Sequence, residues 1–120
     1  DAVTNRVLGE HDAFRRELEH WLAESDIRAA VFAGNDIYAL QALDILRELQ
    51  IRVPEQVGIM GFDDTFMGRF LNPRLSTVRQ PTAQMAREAV TFLLDRIEHP
   101  GDHPPLLRSF PAELILREST

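Results

Sequence analysis

Two stretches decide the fold: Ala29-Ala30-Val31-Phe32-Ala33-Gly34-Asn35-Asp36 and Val57-Gly58-Ile59-Met60-Gly61-Phe62-Asp63-Asp64. Each is an apolar run of strand length that stops at a polar pair, and each is followed by amphipathic helical sequence. In an open parallel α/β sheet, ligands settle at the carboxyl ends of the strands. Two polar pairs at equivalent ends of neighbouring strands would face one crevice. The sequence therefore predicts a site for a polar small molecule there.

Upstream, from about Glu10 to Glu24, Phe14, Leu18, Trp21 and Leu22 are spaced i, i+4, i+7, i+8, which is one face of a helix. Residues 1–9 allow either a short strand or a loop. The run 29–33 is continuously apolar, the pattern of a strand covered on both faces. Asp36 has an N-cap side chain and opens a helix to about Gln50, with Ile37, Leu40, Leu43, Leu46 and Leu49 as its apolar members. Pro54 forbids its continuation. After the second strand, residues 65–71 predict a short helical turn closed by Asn72-Pro73, and Ser76–Arg79 a short extended segment.

Pro81-Thr82 then opens a long helix to about Glu98, with Met85, Ala89, Val90, Leu93, Leu94 and Ile97 on one face. His99-Pro100-Gly101-Asp102-His103-Pro104-Pro105 is a loop. Residues 106–110 and 112–117 are extended in pattern. The order α-β-α-β-α-β predicts an α/β fold with a doubly wound parallel sheet.

At 120 residues the chain is one domain or a piece of one. Its net charge of −6 argues against a direct grip on DNA or an anionic membrane surface. Without cysteine it has neither disulfides nor thiolate metal sites, which fits the cytoplasm. No apolar stretch approaches membrane-spanning length. The chain begins at Asp1 rather than Met and shows no signal-peptide pattern, so it reads as a part trimmed from a longer protein.

The polar pairs admit bland readings as well. Asn35-Asp36 can be a turn residue and a helix cap, with no ligand involved. Of Asp63 and Asp64, one can cap the helical turn that follows, but two adjacent acids repel and the second needs a partner. A Mg²⁺-dependent phosphoryl-transfer site would want a lysine and a glycine-rich phosphate loop; the chain has neither. His11, His20, His99 and His103 lack metal-site spacing, and no serine sits in a nucleophile elbow. The expectation is a binding module with no catalytic residue, no metal and no cofactor.

From Ala30 to Thr120 the chain resembles the LacI/GalR (lactose-repressor and galactose-repressor) family of bacterial transcription regulators. The segments that carry the likeness are AVFAGNDIYALQAL, LRELQIRVPEQVGIMGFDDT, NPRLSTVRQP, MAREAVTFLLDRI and the ending LILREST, in that order and spacing. The resemblance implies a periplasmic-binding-protein-like sensor of two Rossmann-like lobes around an effector cleft. Residues 1–79 would be the C-terminal lobe, residues 80–105 a helix and loop crossing to the N-terminal lobe, and residues 106–120 extended segments closing the fold.

By position in the family, Asn35 and Asp63 would bind hydroxyls of a small-molecule effector, a sugar or similar polar molecule. An ionised carboxylate accepts from hydroxyl donors, and an amide both donates and accepts. Phe62 would wall the pocket or turn into the core, while Asp36 and Asp64 take capping and bracing roles. The family pairs as homodimers, here through Tyr38 and Leu40 on one helix and Phe66, Met67, Phe70 and Leu71 after the second strand. Operator DNA would be read only through an N-terminal helix-turn-helix outside these residues, with no membrane partner. The alternative is an exported sugar-binding protein that feeds a transporter.

The stripe Met85, Val90, Leu93, Leu94, Ile97 follows from the same layout. Burying it is worth about 8–15 kcal/mol. The stripe is therefore expected to fold onto the same lobe, exchange with a second copy, or rest on chain outside this sequence.

Overall fold

The computed structural model describes residues 11–24, 29–101 and 104–120. In chain order the elements are α1 (His11–Glu24), β1 (Ala29–Phe32), α2 (Asp36–Glu48), β2 (Val57–Phe62), a single 3-10 turn (Phe66–Arg69), β3 (Ser76–Arg79), α3 (Thr82–Glu98) and β4 (Glu113–Ile115). Strands β1, β2 and β3 are parallel neighbours and β4 closes the sheet antiparallel to β3, in the order β1-β2-β3-β4. The class is α/β, with a parallel-dominated sheet. The sequence proposals for residues 1–10 and 25–28 lie outside the described residues.

The core is one cluster: Leu18 of α1, Ala33, four residues of α2, Val57 and Ile59 of β2, and Leu75. The α2 contributors are Ala39, Ala42, Ile45 and Leu46, of which only Leu46 belongs to the leucine row expected from the sequence. Ile37 is exposed, and Leu40 and Leu43 are half-buried. The helix has two apolar rows, and the alanine row wins because small side chains let it lie close to the sheet. Burying Leu46 and Ile45 fully contributes roughly 1.5–3 kcal/mol each.

β2 alternates buried and half-buried residues, as a strand with one well-packed face does. β1 is not covered on both faces as its sequence suggested. Ala30 and Phe32 are exposed, Phe32 at 63%, because α1 and α2 pack side by side on the opposite face. Of the two extended runs expected after the proline-rich loop, only Glu113–Ile115 finds a strand partner. Residues 106–110 instead lie beside α3, with Arg108 Nε 3.7 Å from Glu88 Oε2.

α3 buries none of its residues. Val90, Leu93, Leu94 and Ile97 are more than half exposed, so the stripe does not fold onto its own lobe. With α3 as an arm the molecule measures 59 × 27 × 25 Å, and its radius of gyration is 18.8 Å against about 14 Å for a compact chain of this length.

The C-terminus returns to the sheet. Ser119, fully buried, donates from Oγ to the Ile59 carbonyl at 2.6 Å and accepts from the Ser76 N–H at 2.8 Å. Its own carbonyl accepts from the Ile59 N–H at 2.7 Å. One short segment thus staples β2 to the start of β3.

Candidate functional site

The parallel register sets the site. Phe32 pairs with Met60, so Asn35 and Asp63 each follow three residues beyond that pair, past the carboxyl ends of β1 and β2. The Ala33 N–H donates to the Met60 carbonyl at 2.8 Å and keeps the two chains together past the end of β1. β3 contributes its own carboxyl end beside β2, with Phe62 opposite Val78.

Asn35, in extended geometry, is the N-cap of α2: its Oδ1 accepts from the Tyr38 N–H at 2.9 Å. Its amide nitrogen has no partner among the described residues. Asp36 is therefore not the cap that the sequence indicated, but the first helical residue, and it is fully buried. Its carboxylate accepts from Thr65 N (2.6 Å), Thr65 Oγ1 (2.9 Å) and Thr77 Oγ1 (2.7 Å). One group thus ties the start of α2 to the loop after β2 and to β3. Its seat requires glycine at position 61, where a Cβ would meet Asp36 Oδ1 at 2.3 Å.

The turn after β2 is held in unusual geometry. Asp63 has φ 108° and Asp64 φ 50°, and a non-glycine residue in such a region costs on the order of 1–3 kcal/mol. Hydrogen bonds offset that cost. Asp63 N–H donates to the Val78 carbonyl (2.8 Å) and Asp64 N–H to Thr77 Oγ1 (3.2 Å). The two carboxylates then diverge in fate.

Asp64 is almost completely buried, its side chain 2% exposed, and meets three guanidinium groups. Arg117 donates from Nη2, Arg79 from Nε at 2.7 Å and Arg69 from Nη2 at 3.0 Å. Burial pushes this carboxyl up, but the guanidiniums, Arg117 foremost, outweigh it and bring it down to about 2 from 3.8. Asp64 therefore caps nothing; the 3-10 turn is preceded by Thr65, with no side-chain cap. Asp63 is exposed and its carboxylate accepts only from Gln80 Nε2, at 2.8 Å, among the described residues.

Phe62 alternates with Gly61 and Ile59, so its half-buried ring lies on the face of β2 away from α2. Of the expected pairing residues, Tyr38, Phe66, Met67 and Phe70 are exposed, while Leu40 and Leu71 are half-buried. Phe66 and Phe70 touch with ring centroids 4.6 Å apart. Leu40, Leu43, Ile51, Phe70 and Leu71 line one shallow groove between α2 and the loop after the 3-10 turn. No group of three or more His, Asp or Glu that could hold a metal exists among the described residues. Nor is any described helix long and apolar enough to cross a membrane.

Arg69, Arg79, Arg117, Gln80, Thr65, Thr77 and Gly61 were not assigned roles from the sequence. Their partners lie up to 53 positions away, and no spacing rule signals such contacts.

A parallel-dominated sheet flanked by helices and closed by one antiparallel strand is the architecture of the periplasmic-binding-protein-like class. The chain belongs to the periplasmic binding protein-like domain family, whose pattern matches residues 3–120. Within it, the relatives are LacI-family regulators. One is the HTH-type transcriptional repressor PurR of Pasteurella multocida, 36% identical over 98 residues, which cover 82% of this chain and 29% of the repressor. Among solved structures, the transcriptional regulator CelR in complex with cellobiose superposes with a TM-score of 0.79 at 37% identity, covering 92% of this chain and 32% of that one. A LacI-family protein from Sanguibacter keddieii gives 0.78 at 40% identity, covering 91% and 40%. The chain spans less than a third of the length of the curated relatives it matches.

Proposed function

We propose that this chain is the effector-binding and dimerising lobe of a LacI-type transcriptional regulator, acting in the cytoplasm and without enzymatic activity. The observation that carries the reading is the parallel register of β1 on β2, with Asn35 and Asp63 each three residues beyond the Phe32–Met60 pair. Both face a donor-rich ligand with groups that suit it: a free carboxylate oxygen to accept, and an unused amide nitrogen to donate. Phe62 lends an apolar wall. Asp36 and Asp64 brace the turn that presents Asp63. The effector is a small polar molecule of the sugar type, in keeping with the cellobiose held by the CelR structure.

Residues 1–79 form the C-terminal lobe in this reading, residues 80–105 cross to a second lobe that covers the α3 stripe, and residues 106–120 return. Tyr38, Leu40, Phe66, Met67, Phe70 and Leu71 pair two copies. Operator DNA is contacted by a helix-turn-helix outside these residues, as the name of the PurR relative supports. Effector binding favours one closure of the lobes over another and, through the dimer, resets the spacing of the DNA-reading heads. Such a shift requires different affinity for the two states. The regulators among its relatives favour this over a transport protein. A thermal-shift screen of sugars and nucleobases on the full-length protein tests it: a stabilising ligand whose effect is lost in Asp63→Ala supports the reading, and a hit list unaffected by Asp63→Ala contradicts it.

A further inference from the structure

We infer that Gln80 is a positioning residue of this site: it holds one oxygen of the Asp63 carboxylate so that the other is presented to a bound hydroxyl. The inference rests on the reading of Asp63 as an effector ligand. Asp63 is tied twice to β3 and its exit, by its backbone N–H to the Val78 carbonyl and by its Oδ1 to Gln80 Nε2, each at 2.8 Å. Nothing else among the described residues restrains that side chain, which is exposed at the tip of a turn with φ 108°. Without Gln80 the carboxylate would sample its rotamers in water. Ordering it on ligand binding would then weaken affinity.

The stoichiometry of acceptors fits. A carboxylate offers about four lone-pair sites on two oxygens, and Gln80 uses one of them. Asp64 next door differs, since three guanidiniums engage both of its oxygens and its side chain, 2% exposed, offers a ligand no access. Gln80 is half-buried, and its Oε1 has no partner among the described residues, so a second acceptor sits beside the carboxylate. Two neighbouring acceptors suit a ligand with adjacent hydroxyls. Gln80 also stands where the chain leaves β3 for α3, with its carbonyl accepting from Thr82 N–H at 2.9 Å. The residue that aims Asp63 therefore belongs to the link between sheet and arm.

The test uses the full-length protein and cellobiose as probe. Calorimetric titration should show Gln80→Ala and Gln80→Glu binding about three- to tenfold more weakly than wild type, with unchanged circular dichroism. The introduced carboxyl repels Asp63 when ionised but donates when protonated, so Gln80→Glu should regain affinity on going from about pH 7.5 to about pH 5, and Gln80→Ala should not. Equal or tighter binding by Gln80→Ala would overturn the inference, tighter binding meaning that Gln80 competes with the ligand. If wild type ignores cellobiose, it is that sugar as effector which fails, and a ligand-free measurement decides Gln80. In protein labelled with ¹⁵N-glutamine, Asp63→Ala should move the Gln80 side-chain amide signal towards its free position. An unmoved signal would overturn the inference by itself.

Discussion

Arg117, three residues from the last, donates a hydrogen bond to Asp64, 53 positions earlier in the chain and next to the proposed effector ligand Asp63. The contact fastens the returning C-terminal segment to the turn after β2. Arg79 does the same from the end of β3, and it also reaches Glu113 of β4 at 3.0 Å. The end of β3 and the segment that follows β4 are therefore pinned to one buried carboxylate.

That carboxylate predicts an acid-dependent stability. Its folded value, about 2, lies below the ordinary 3.8, so the stabilisation is complete above about pH 5 and is lost as pH falls towards 2. Between about pH 6 and pH 2.5 the loss is roughly 1.5 kcal/mol from this group. Urea unfolding of the full-length protein at both pH values should show that extra loss in wild type and not in Asp64→Asn. Removing Arg117 by Arg117→Ala should cost about 2–4 kcal/mol near neutral pH, since a buried charge loses a partner.

Gly61→Ala should destabilise by about 1–3 kcal/mol, because its Cβ would lie 2.3 Å from Asp36 Oδ1 and 3.1 Å from Leu75 Cδ2. Gly58→Ala, whose Cβ would meet nothing nearer than 3.8 Å, should be far milder. Denaturation midpoints of the two variants check the contrast.

Asn35 serves two purposes that substitution can separate. Asn35→Asp keeps the oxygen that caps α2 and removes the amide donor, so it should weaken effector binding by about 1–3 kcal/mol with little change in stability. Asn35→Ala should lose both, with a further 0.5–2 kcal/mol (about the cost of a missing cap) in unfolding free energy. Calorimetry and chemical denaturation on the same preparations separate the two effects.

Phe70→Glu places a charge in an exposed aromatic pair that lies beside the groove of Leu40 and Leu71. In sedimentation, the proposed dimer of the full-length protein should dissociate at concentrations about tenfold higher or more than wild type. Glu19→Gln, at an exposed α1 ion pair, should leave assembly unchanged.

Much of this was legible in the sequence, where period and punctuation carry local information. Apolar runs closed by polar pairs gave β1 and β2 their positions, and Pro81 marked the start of α3, while α2 stops at Glu48, short of Pro54. The parallel pairing of β1 with β2 then follows, with Asn35 and Asp63 each just past the end of its strand. What stayed hidden is non-local. Asp36 looked like a cap because its residue type suits one, yet Asn35 reaches Tyr38 N–H first and frees Asp36 to gather Thr65 and Thr77. The second acid of Asp63-Asp64 was seen to need a partner, but not that three arginines from distant segments supply it. Which apolar row of α2 faces the sheet was decided by alanine size, a packing matter that hydrophobicity alone does not rank.

The most direct measurement is a crystal structure of the full-length protein with the effector that a thermal-shift screen selects. The account predicts one bound molecule with hydroxyl oxygens about 2.6–3.2 Å from both the Asp63 carboxylate and the Asn35 amide. A bound effector that touches neither residue, with Asp63 still engaged only by Gln80, would contradict it.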